Sequence, residues 1–373
     1  MLYRISIPLL IVSACFCLGA ACNTTQNNAK KVEKVAQNKT EKVEKTAKSN
    51  TKKEKKVVND VLTFTCYNVE NLFDTFDDPK KEDDAFLPNS DKKWTEERYL
   101  KKLNDIAKVL YATGKDDYPS LVGLVEVENA KVLNDLIEKT AIPNNDYAYV
   151  HFDSPDVRGI DVALLYDKTD FKPVSQKKLA VSFDFAPNKT TRDILYVEGL
   201  CKNETMHVFV NHWSSRREGE KETEPKRMAC AKVLKKAIND IQKVNPTAKI
   251  IITGDFNDET DNQSITKVLG AKTNVQNLQK TDLFNLSYKQ DQNGEGTYNH
   301  KGDWNMIDQF IVSSSMLPKQ KGLTIVDESV QLFNEDWLMY KSQKYGLVPN
   351  RTYGGPNYYG GYSDHLPISI KLK

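Results

Sequence analysis

KIIITGDFND (residues 249–258) joins a dense apolar run to a group of polar side chains. Three consecutive isoleucines are typical of a short strand buried on both faces, and Asp255 and Asn257 come soon after them. SLVGLVEVEN (residues 120–129) has the same arrangement, with Glu126 directly after its apolar core. Strands buried on both faces need a covering layer on each side, so these two stretches indicate a layered α/β protein.

Further strands and two helices are predicted on either side of these stretches. Apolar clusters or period-two alternation predict strands at residues 61–67, 161–166, 194–200, 206–211, 306–313 and 366–372. Helical periodicity covers residues 95–110, where Thr95 can cap the first turn, and residues 225–241, where Pro225 suits the first turn. Several predicted strands between residues 147 and 211 follow one another without a helix, which favours mixed sheets with helices outside them. Because no repeat or linker divides residues 61–373, one domain is predicted there.

The first 22 residues have the pattern of an export signal. Arg4 precedes an apolar run at residues 5–18, which is short for a membrane span and typical of a secretory signal. The run ends in Gly19-Ala20-Ala21-Cys22, which resembles a bacterial lipoprotein cleavage site. We therefore expect residues 1–22 to be a signal peptide and Cys22 to carry lipid that anchors the exported protein in the cell envelope, at the outer membrane or cell surface. Cleavage at Cys15 is the alternative.

Residues 23–60 contain 11 lysines against five acidic residues and are poor in aromatic side chains. This composition predicts a disordered tether between the anchor and the body. Residues 61–373 then carry a net charge of about −5, which counts against a protein that holds nucleic acid through many phosphate contacts. Cys66, Cys201 and Cys230 lack metal-ligand spacing, so we expect them to be small buried side chains.

Polar residues lie at the ends of most predicted core strands. They are Asn68, Glu126, His212, Asp255 with Asn257, and Asp364 with His365. In layered α/β folds, strand ends from distant parts of the chain converge on one face, where ligands bind. Carboxylate and amide oxygens suit Mg²⁺, Mn²⁺ or Ca²⁺, and the sequence has no Cys/His cluster of the zinc type. The two histidines are then available for proton transfer.

Seven motifs follow one another along the body. They are YNVEN (67–71), GLVEVEN (123–129), RGIDVALLY (158–166), VNHWSSR (210–216), GDFND (254–258), NMIDQFIVS (305–313) and YSDHLPI (362–368). In this order they resemble the endonuclease/exonuclease/phosphatase superfamily, the deoxyribonuclease I-like enzymes, over nearly all of residues 61–373. The resemblance implies a four-layer α/β sandwich, in which two facing mixed β-sheets are flanked by helices.

The resemblance also implies a site for a divalent metal and a phosphate group. Glu126 is the implied principal metal ligand, assisted by Asn68 and Asp364, and the ion would be Mg²⁺, with Mn²⁺ or Ca²⁺ possible replacements. An Asx turn at the end of its strand is the alternative role for Asn68. Arg158 and Arg216 are candidate contacts to the substrate phosphate.

The implied catalytic residues divide the chemistry among five side chains. His365 is the implied general base, and Asp308 is the carboxylate that would orient it, a pairing that fixes the tautomer and stabilises the imidazolium. Asp255 would position the attacking water. Asn257 and His212 would donate hydrogen bonds to the phosphoryl oxygens as negative charge develops there.

Three of the site assignments have alternatives in the residues themselves. Glu128 lies two positions after Glu126 and competes with it as the metal ligand. An internal ion pair between Arg158 and Asp161 would explain both residues without a substrate. Arg216 could equally be a solvated surface charge.

The pattern as a whole predicts a metal-dependent phosphodiesterase that acts as a monomer, with nucleic acid as the first candidate substrate. Hydrolysis of a lipid headgroup or sugar phosphate is the second candidate, and a surface binding protein without turnover is the third. Two insertions, at residues 73–94 and 331–361, are expected on loops near the site. The second insertion and the residue after it offer tyrosines that could stack on bases or sugars, at positions 353, 358, 359 and 362.

Overall fold

A computed structural model describes residues 61–115, 117–328 and 330–373. The predicted signal peptide with Cys22, the alternative Cys15 and the tether at residues 23–60 lie outside the described residues and remain predictions. Among the described helices, none combines the length and the apolar character needed to cross a membrane.

The described residues form nineteen strands and four α-helices. The strands are β1 (Leu62–Leu72), β2 (Leu121–Val127), β3 (Tyr147–His151), β4 (Asp161–Asp167), β5 (Phe171–Leu179), β6 (Ile194–Cys201), β7 (Glu204–His212), β8 (Lys249–Asp255), β9 (Ala271–Lys272), β10 (Leu283–Asn285), β11 (Tyr298–His300), β12 (Asp303–Asn305), β13 (Asp308–Ser313), β14 (Gln331–Leu332), β15 (Met339–Ser342), β16 (Gly346–Pro349), β17 (Tyr353–Gly354), β18 (Asn357–Tyr358) and β19 (Ile368–Leu372). The helices are α1 (Glu96–Thr113), α2 (Ala130–Glu138), α3 (Glu220–Val244) and α4 (Tyr288–Gln292). Short 3-10 turns lie at Asp84–Phe86, Ser314–Met316 and Asp336–Leu338, and a π-helical turn lies at Ser264–Leu269.

The first sheet has six strands in the order β14-β19-β1-β2-β4-β3. Its central strands β1 and β2 are parallel, and the other pairs are antiparallel. Phe64 of β1 lies opposite Leu121 on one side and Ile370 on the other. This register places the ends of β1 and β2, which carry Asn68 and Glu126, at one edge of the sheet.

The second sheet has seven strands in the order β5-β6-β7-β8-β13-β10-β9. Strand β8 runs parallel to β7 and antiparallel to β13. His212 and Asp308 lie opposite Asp255 in these two ladders. The register of the sheet therefore lines up three polar residues from distant parts of the chain.

Three apolar cores separate the layers, which confirms the predicted sandwich of two mixed sheets with flanking helices. The central core lies between the sheets, where the ring of Phe64 meets that of Phe310 edge-on with centroids 5.3 Å apart. Leu103 and Ile106 of α1 pack in the core outside the first sheet, and Leu234 of α3 packs in the core outside the second. Full burial of each such side chain contributes about 1.5–3 kcal/mol, so the three cores account for the layered arrangement.

Two glycines let backbone segments approach closely beneath the polar residues. A Cβ at Gly123 of β2 would lie 3.1 Å from Thr253 Cγ2 of β8, so the two sheets come close together there. Gly254 has a φ of +134°, and a Cβ on it would lie 2.0 Å from the carbonyl oxygen of Asn211. Only glycine accepts both conditions, and its presence keeps Asp255 in register beside His212.

Helix α3 begins at Glu220, earlier than the periodicity predicts, and Pro225 lies inside it. Its first turn is stabilised by side chains that precede or follow the proline. Thr223 Oγ1 donates to the Gly219 carbonyl at 2.6 Å, and Arg227 Nη2 donates to the Glu220 carbonyl at 2.8 Å. Because polar rather than apolar side chains stabilise this turn, apolar periodicity did not predict it.

The two insertions are packed rather than open loops. In the first, Phe73 and Phe86 stack with ring centroids 4.3 Å apart, and Trp94 is buried beside Phe86. The second forms the hairpins β15–β16 and β17–β18. Tyr353 is only 5% exposed and packs against the first insertion, so it cannot stack on a substrate, whereas Tyr359 is 61% exposed.

Candidate active site

His365 and Asp308 form the pair that the resemblance implies. Nδ1 of His365 lies 2.7 Å from Oδ2 of Asp308, across 57 residues of sequence. Thr297 Oγ1 donates to the same oxygen at 2.6 Å, and the His365 amide donates to Ser363 Oγ at 3.1 Å. The carboxylate acceptor places the ring proton on Nδ1, so Nε2 is left facing Asp255 Oδ2 at 4.0 Å.

Asp255 brings a second carboxylate beside this pair. Burial, followed by the nearby charge of Asp308, raises the pKa of Asp255 to about 7. Burial would lower the pKa of His365, but the charge and hydrogen bond of Asp308, then Asp255, raise it to about 10. The buried carboxylates thus create a strongly negative environment that stabilises a positive charge.

Asn68 forms the Asx turn that was its alternative role, and it also contacts a carboxylate of the site. Its Oδ1 accepts the amide of Glu70 at 3.1 Å, which is the Asx turn, and its Nδ2 donates to Asp255 Oδ2 at 3.2 Å. The turn lies inside β1, where the register shifts between Asn68 and Leu72. Asn68 therefore links the first sheet to the carboxylate of the second.

Glu126 is directed into the site by an irregularity in β2. Its φ of +66° lies in the left-handed region, and the pairing of β2 with β4 shifts between Val125 and Val127. A β-bulge of this kind re-aims a side chain. Oε2 of Glu126 accepts the Asn71 amide at 2.9 Å, and Oε1 lies 3.8 Å from Nε2 of His212.

Glu128, the competing ligand, lies elsewhere. Its carboxylate accepts the backbone amide of Asp74 at 2.7 Å, in the first insertion. Burial raises its pKa to about 8. Of the two glutamates, Glu126 is therefore the one that contacts the other site residues.

His212 ends β7 between two carboxylates. Its Nε2 lies 3.8 Å from both Glu126 Oε1 and Asp255 Oδ2. Burial, then the charge of Arg192, holds its pKa well below the usual range, so the imidazole is neutral. Its Nδ1 is buried and has no hydrogen-bond partner among the described residues. A neutral ring of this kind donates one hydrogen bond.

Asn257 is fixed against Asp255 in a tight turn. Its φ is +51°, a conformation that asparagine tolerates well. Its backbone amide donates to Asp255 Oδ1 at 2.8 Å, while its side-chain amide donates to Asp255 Oδ2 at 3.3 Å and to the Trp213 carbonyl at 3.1 Å. The predicted phosphate contact is therefore positioned directly beside the predicted water-binding carboxylate.

The predicted anion-binding arginines have different surroundings. Arg158 is 41% exposed at its side chain and lies 3.8 Å from Asp156, whereas Asp161 pairs with His151 at 3.3 Å. The internal pair between Arg158 and Asp161 is therefore wrong, and Arg158 remains available near the site.

Arg216 supports the loop that carries Asn257. Its Nε donates to the Asn257 carbonyl at 2.6 Å, and its Nη2 donates to Asn262 Oδ1 at 3.1 Å. It also lies 3.6 Å from Glu259. These contacts give Arg216 a positioning role that the sequence pattern did not predict.

Asp364 contacts a residue of the second insertion. Its Oδ2 accepts a hydrogen bond from Arg351 Nη2 at 2.5 Å. The loop that carries Arg351 is fixed by Glu70, whose carboxylate accepts the amides of Thr352 at 2.6 Å and Tyr353 at 3.2 Å. Sequence reasoning missed Arg351, because its loop lies outside the seven motifs.

Tyr298 and Arg192 are two further residues that the sequence did not single out. The Tyr298 ring lies against the His365 ring, with centroids 5.0 Å apart. Burial, then the charge of Asp364, raises the pKa of Tyr298. Arg192 Nε donates to the His212 carbonyl at 3.3 Å and fixes that strand end. Neither residue lies in one of the seven motifs. The only hint in the sequence was the pair Thr297-Tyr298, shortly before NMIDQFIVS.

The side chains present fit a divalent cation. Asp255, Asp308 and His365 offer ligand atoms within 4.8 Å of one another. Asp308 Oδ1 is buried and has no hydrogen-bond partner among the described residues, although Oδ2 has two. An unsatisfied oxygen among several buried carboxylates is the environment that a hard cation relieves.

The family model described as "Endonuclease/Exonuclease/phosphatase family" matches residues 63–373. The chain belongs to this family. Because family members hydrolyse phosphoester bonds, the membership confirms the predicted enzyme class, a hydrolase that acts on such bonds and depends on a divalent metal. The acidic and histidine cluster at Asp255, Asp308 and His365 agrees with that dependence.

Solved structures share the fold of this endonuclease/exonuclease/phosphatase family member at low sequence identity. The human nocturnin catalytic domain with bound sulfate is 17% identical, with a TM-score of 0.52, and the match covers 84% of this chain and 94% of that one. The mannosyl-6-phosphatase Bt3783 of Bacteroides thetaiotaomicron is 17% identical, with a TM-score of 0.52, and coverages of 84% and 99%. D. rerio TDP2 in complex with a single-strand DNA product is 14% identical, with a TM-score of 0.50, and coverages of 84% and 100%. No curated protein matches the chain.

Proposed function

We propose that this family member is an exported, membrane-anchored phosphodiesterase that uses a divalent metal and a histidine-activated water. The observation that carries the proposal is the Asp308–His365 pair at 2.7 Å beside the buried Asp255. A carboxylate that fixes Nδ1 directs Nε2 toward the water, which is the arrangement of a general base once the charge of a bound metal offsets the carboxylates that keep His365 protonated in the metal-free protein.

His365 acts on a water molecule that Asp255 holds. Nε2 takes the proton of the water as its oxygen attacks phosphorus, and Asp308 stabilises the imidazolium that forms. The 4.0 Å between His365 Nε2 and Asp255 Oδ2 leaves both groups within hydrogen-bond reach of one water. The step requires no movement of the backbone.

His212 and Asn257 also lie beside Asp255 Oδ2. Neutral His212 donates one hydrogen bond to the phosphoryl oxygens as their charge increases, and the Asn257 side-chain amide donates a second when it exchanges Asp255 for the phosphate. Glu126, with Asn68 and Asp364, would hold the metal, which leaves His365 of the Asp255–Asp308–His365 cluster for proton transfer. When bound, Mg²⁺ supplies positive charge that stabilises the phosphoryl oxygens and the leaving group.

Nucleic acid is the first candidate substrate, and a lipid headgroup or sugar phosphate is the second. Structural relatives include TDP2 with a single-strand DNA product and a mannosyl-6-phosphatase, so the fold accommodates both polymeric and small phosphoesters. The exposed Tyr359 supports the first candidate, because aromatic rings on loops stack on unpaired bases.

Substrate panels with Mg²⁺ separate these candidates. Nicking of supercoiled plasmid without release from sphingomyelin, phosphatidylinositol or mannose 6-phosphate would support the nuclease. Hydrolysis of sphingomyelin, phosphatidylinositol or mannose 6-phosphate without plasmid nicking would favour the second candidate over the nuclease. Metal-dependent ligand binding with no product from any substrate would instead identify a surface binding protein.

The lipid anchor and the envelope location rest on the sequence at residues 1–60. An anchor at Cys22 followed by a lysine-rich tether would hold the catalytic body away from the membrane surface, where diffusing phosphodiesters reach it. A monomer is sufficient for this function, because every predicted site residue comes from one chain.

A further inference from the structure

Lys92 of the first insertion is a half-buried cation with no protein partner for its charge. Its Nζ lies 3.9 Å from the centroid of the Phe86 ring and 4.9 Å from that of Tyr353. Among the described residues, its Nζ makes no hydrogen bond or ion pair. Cation–π contacts offset only part of the cost of withdrawing an ammonium group from water.

The charged side chains that act on Lys92 are Glu70, Glu126 and Arg351, which lie in or beside the candidate active site. Burial lowers the pKa of Lys92, Arg351 lowers it further, and Glu70 and Glu126 act in the opposite direction. Geometry joins Lys92 to the loop at residues 351–353, because its Nζ lies 4.9 Å from the centroid of the Tyr353 ring and the Tyr353 amide donates to Glu70 Oε1 at 3.2 Å. A cation beside this loop can contact a group that extends from a substrate bound at the site.

Arg351 is a second cation whose donors are only partly used. Its Nη2 donates to Asp364, but its Nε is buried and has no hydrogen-bond partner among the described residues, with the nearest carboxylate oxygen, Glu70 Oε1, 3.9 Å away. Arg351 and Lys92 come from different insertions, and the ring of Tyr353, two residues after Arg351, lies 4.9 Å from Lys92 Nζ. Lys102 anchors this loop through its Nζ, 2.7 Å from Thr352 Oγ1.

We propose that Lys92 and Arg351 form a second anion subsite, which binds a further phosphate group of the substrate beside the phosphodiester that is cleaved. This inference rests on the proposed function and names its substrate class, a phosphodiester that carries an additional phosphate monoester. Free ammonium and guanidinium donors match the oxygens of a phosphate group. In a body with a net charge of about −5, two such donors select for the extra phosphate without making the protein a general polyanion binder.

Paired dinucleotides test the subsite directly. The substrates are thymidylyl-thymidine with and without a 5′-phosphate or a 3′-phosphate, and the variants are Lys92→Met and Lys93→Met. Methionine keeps the apolar contacts of Lys92 with Phe86 and Tyr353 and removes the charge. Lys93 is the matched control, because it is adjacent and exposed and its side chain has no partner in the part of the chain that the structure describes.

For one phosphorylated form, the wild-type enzyme is expected to show a kcat/KM at least about tenfold higher than for the unphosphorylated dinucleotide, which is the size of one charge-assisted hydrogen bond. Lys92→Met should abolish this preference through KM, and Lys93→Met should keep it. Equal losses on all dinucleotides with Lys92→Met, or no preference in the wild type, would overturn the subsite.

Binding separates the failure of this inference from the failure of the proposed function. If no dinucleotide is hydrolysed, the nucleic-acid candidate of the proposed function fails, and calorimetry with Ca²⁺ then compares thymidine 3′,5′-bisphosphate with thymidine 5′-phosphate. Tighter binding of the bisphosphate that Lys92→Met removes supports the subsite. Equal affinities for both ligands, or an unchanged difference in Lys92→Met, contradict it.

Discussion

Asp308 uses its two oxygens differently. Oδ2 receives the His365 ring and the Thr297 hydroxyl, while Oδ1 is buried without a partner among the described residues. An asparagine at this position would keep the size of the side chain but remove the charge that stabilises the imidazolium. The role of Asp308 is therefore separable from its packing.

Asp308→Asn is expected to lower kcat on bis(p-nitrophenyl) phosphate at least about 100-fold, the range typical of general acid–base catalysis. The same variant should lower the pKa of His365 in the metal-free protein, because Asp308 is the group that most raises it. Ring-proton NMR titration measures that shift. Asp303→Asn, an exposed neighbour, is the control, and wild-type kcat in Asp308→Asn would contradict the assignment.

At the residue scale, the resemblance named candidate site residues and one pair among them, Asp308 with His365. The structure joins that pair across 57 residues. Arg351 could not be predicted, because its proximity to the site depends on how the second insertion folds back on the sheets, and Tyr298 lies outside the seven motifs. The spacing of residues along the sequence does not specify how close they lie in the folded protein.

At the element scale, buried charge fixes helix α3 to the catalytic loop. Arg227 Nε lies 2.5 Å from Asp258 Oδ1, and both side chains are 1% exposed. Asp258 belongs to the GDFND motif and also accepts Ser264 Oγ at 2.5 Å. The pair therefore couples the position of α3 to the loop that holds Asn257.

Arg227→Met should reduce the free energy of unfolding by about 3 kcal/mol, because it leaves the buried Asp258 with only the more distant Arg216, 3.7 Å away, as a counterion. Urea denaturation followed by circular dichroism measures this loss. Lys236→Met removes a pair with Asp240 on the exposed face of the same helix and should cost only about 0–1 kcal/mol. Equal midpoints for the two variants would show that the buried pair does not stabilise the loop.

The predicted strands and helices lie where the apolar pattern placed them. The start of α1 also agrees with the prediction, whereas the start of α3 and the end of β1 differ from it. Helix α1 begins after its predicted cap, since Thr95 Oγ1 accepts the Arg98 amide at 3.5 Å. Helix α3 starts at Glu220 because polar contacts, invisible to periodicity, stabilise its first turn. Strand β1 extends to Leu72, beyond the predicted end, and therefore includes Asn68 within it.

At the scale of the whole molecule, the site exists because two sheets face each other. Asn68 and Glu126 come from the first sheet, and His212, Asp255 and Asp308 come from the second. The contact between Asn68 and Asp255 at 3.2 Å spans the two. Sequence could predict each sheet edge, but their juxtaposition follows from the packing of the central core.

The anchor belongs to this scale as well. In a bacterial host that lipidates exported proteins, metabolic labelling with palmitate should tag the wild-type protein and Cys15→Ser, and Cys22→Ser should lose the label. Cell fractionation should then place unlabelled protein outside the membrane fraction. Loss of label in Cys15→Ser alone would identify the earlier cysteine, and label in neither wild type nor variant would contradict the anchor.

The central claim is that His365, with Asp308, activates water for metal-dependent phosphodiester hydrolysis. Its most direct test is the turnover of bis(p-nitrophenyl) phosphate by wild type and His365→Gln, with Mg²⁺ and with EDTA. The account predicts turnover only for wild type with Mg²⁺, while His365→Gln keeps its thermal unfolding midpoint. Turnover by His365→Gln at the wild-type rate, or wild-type turnover that persists in EDTA, would contradict it.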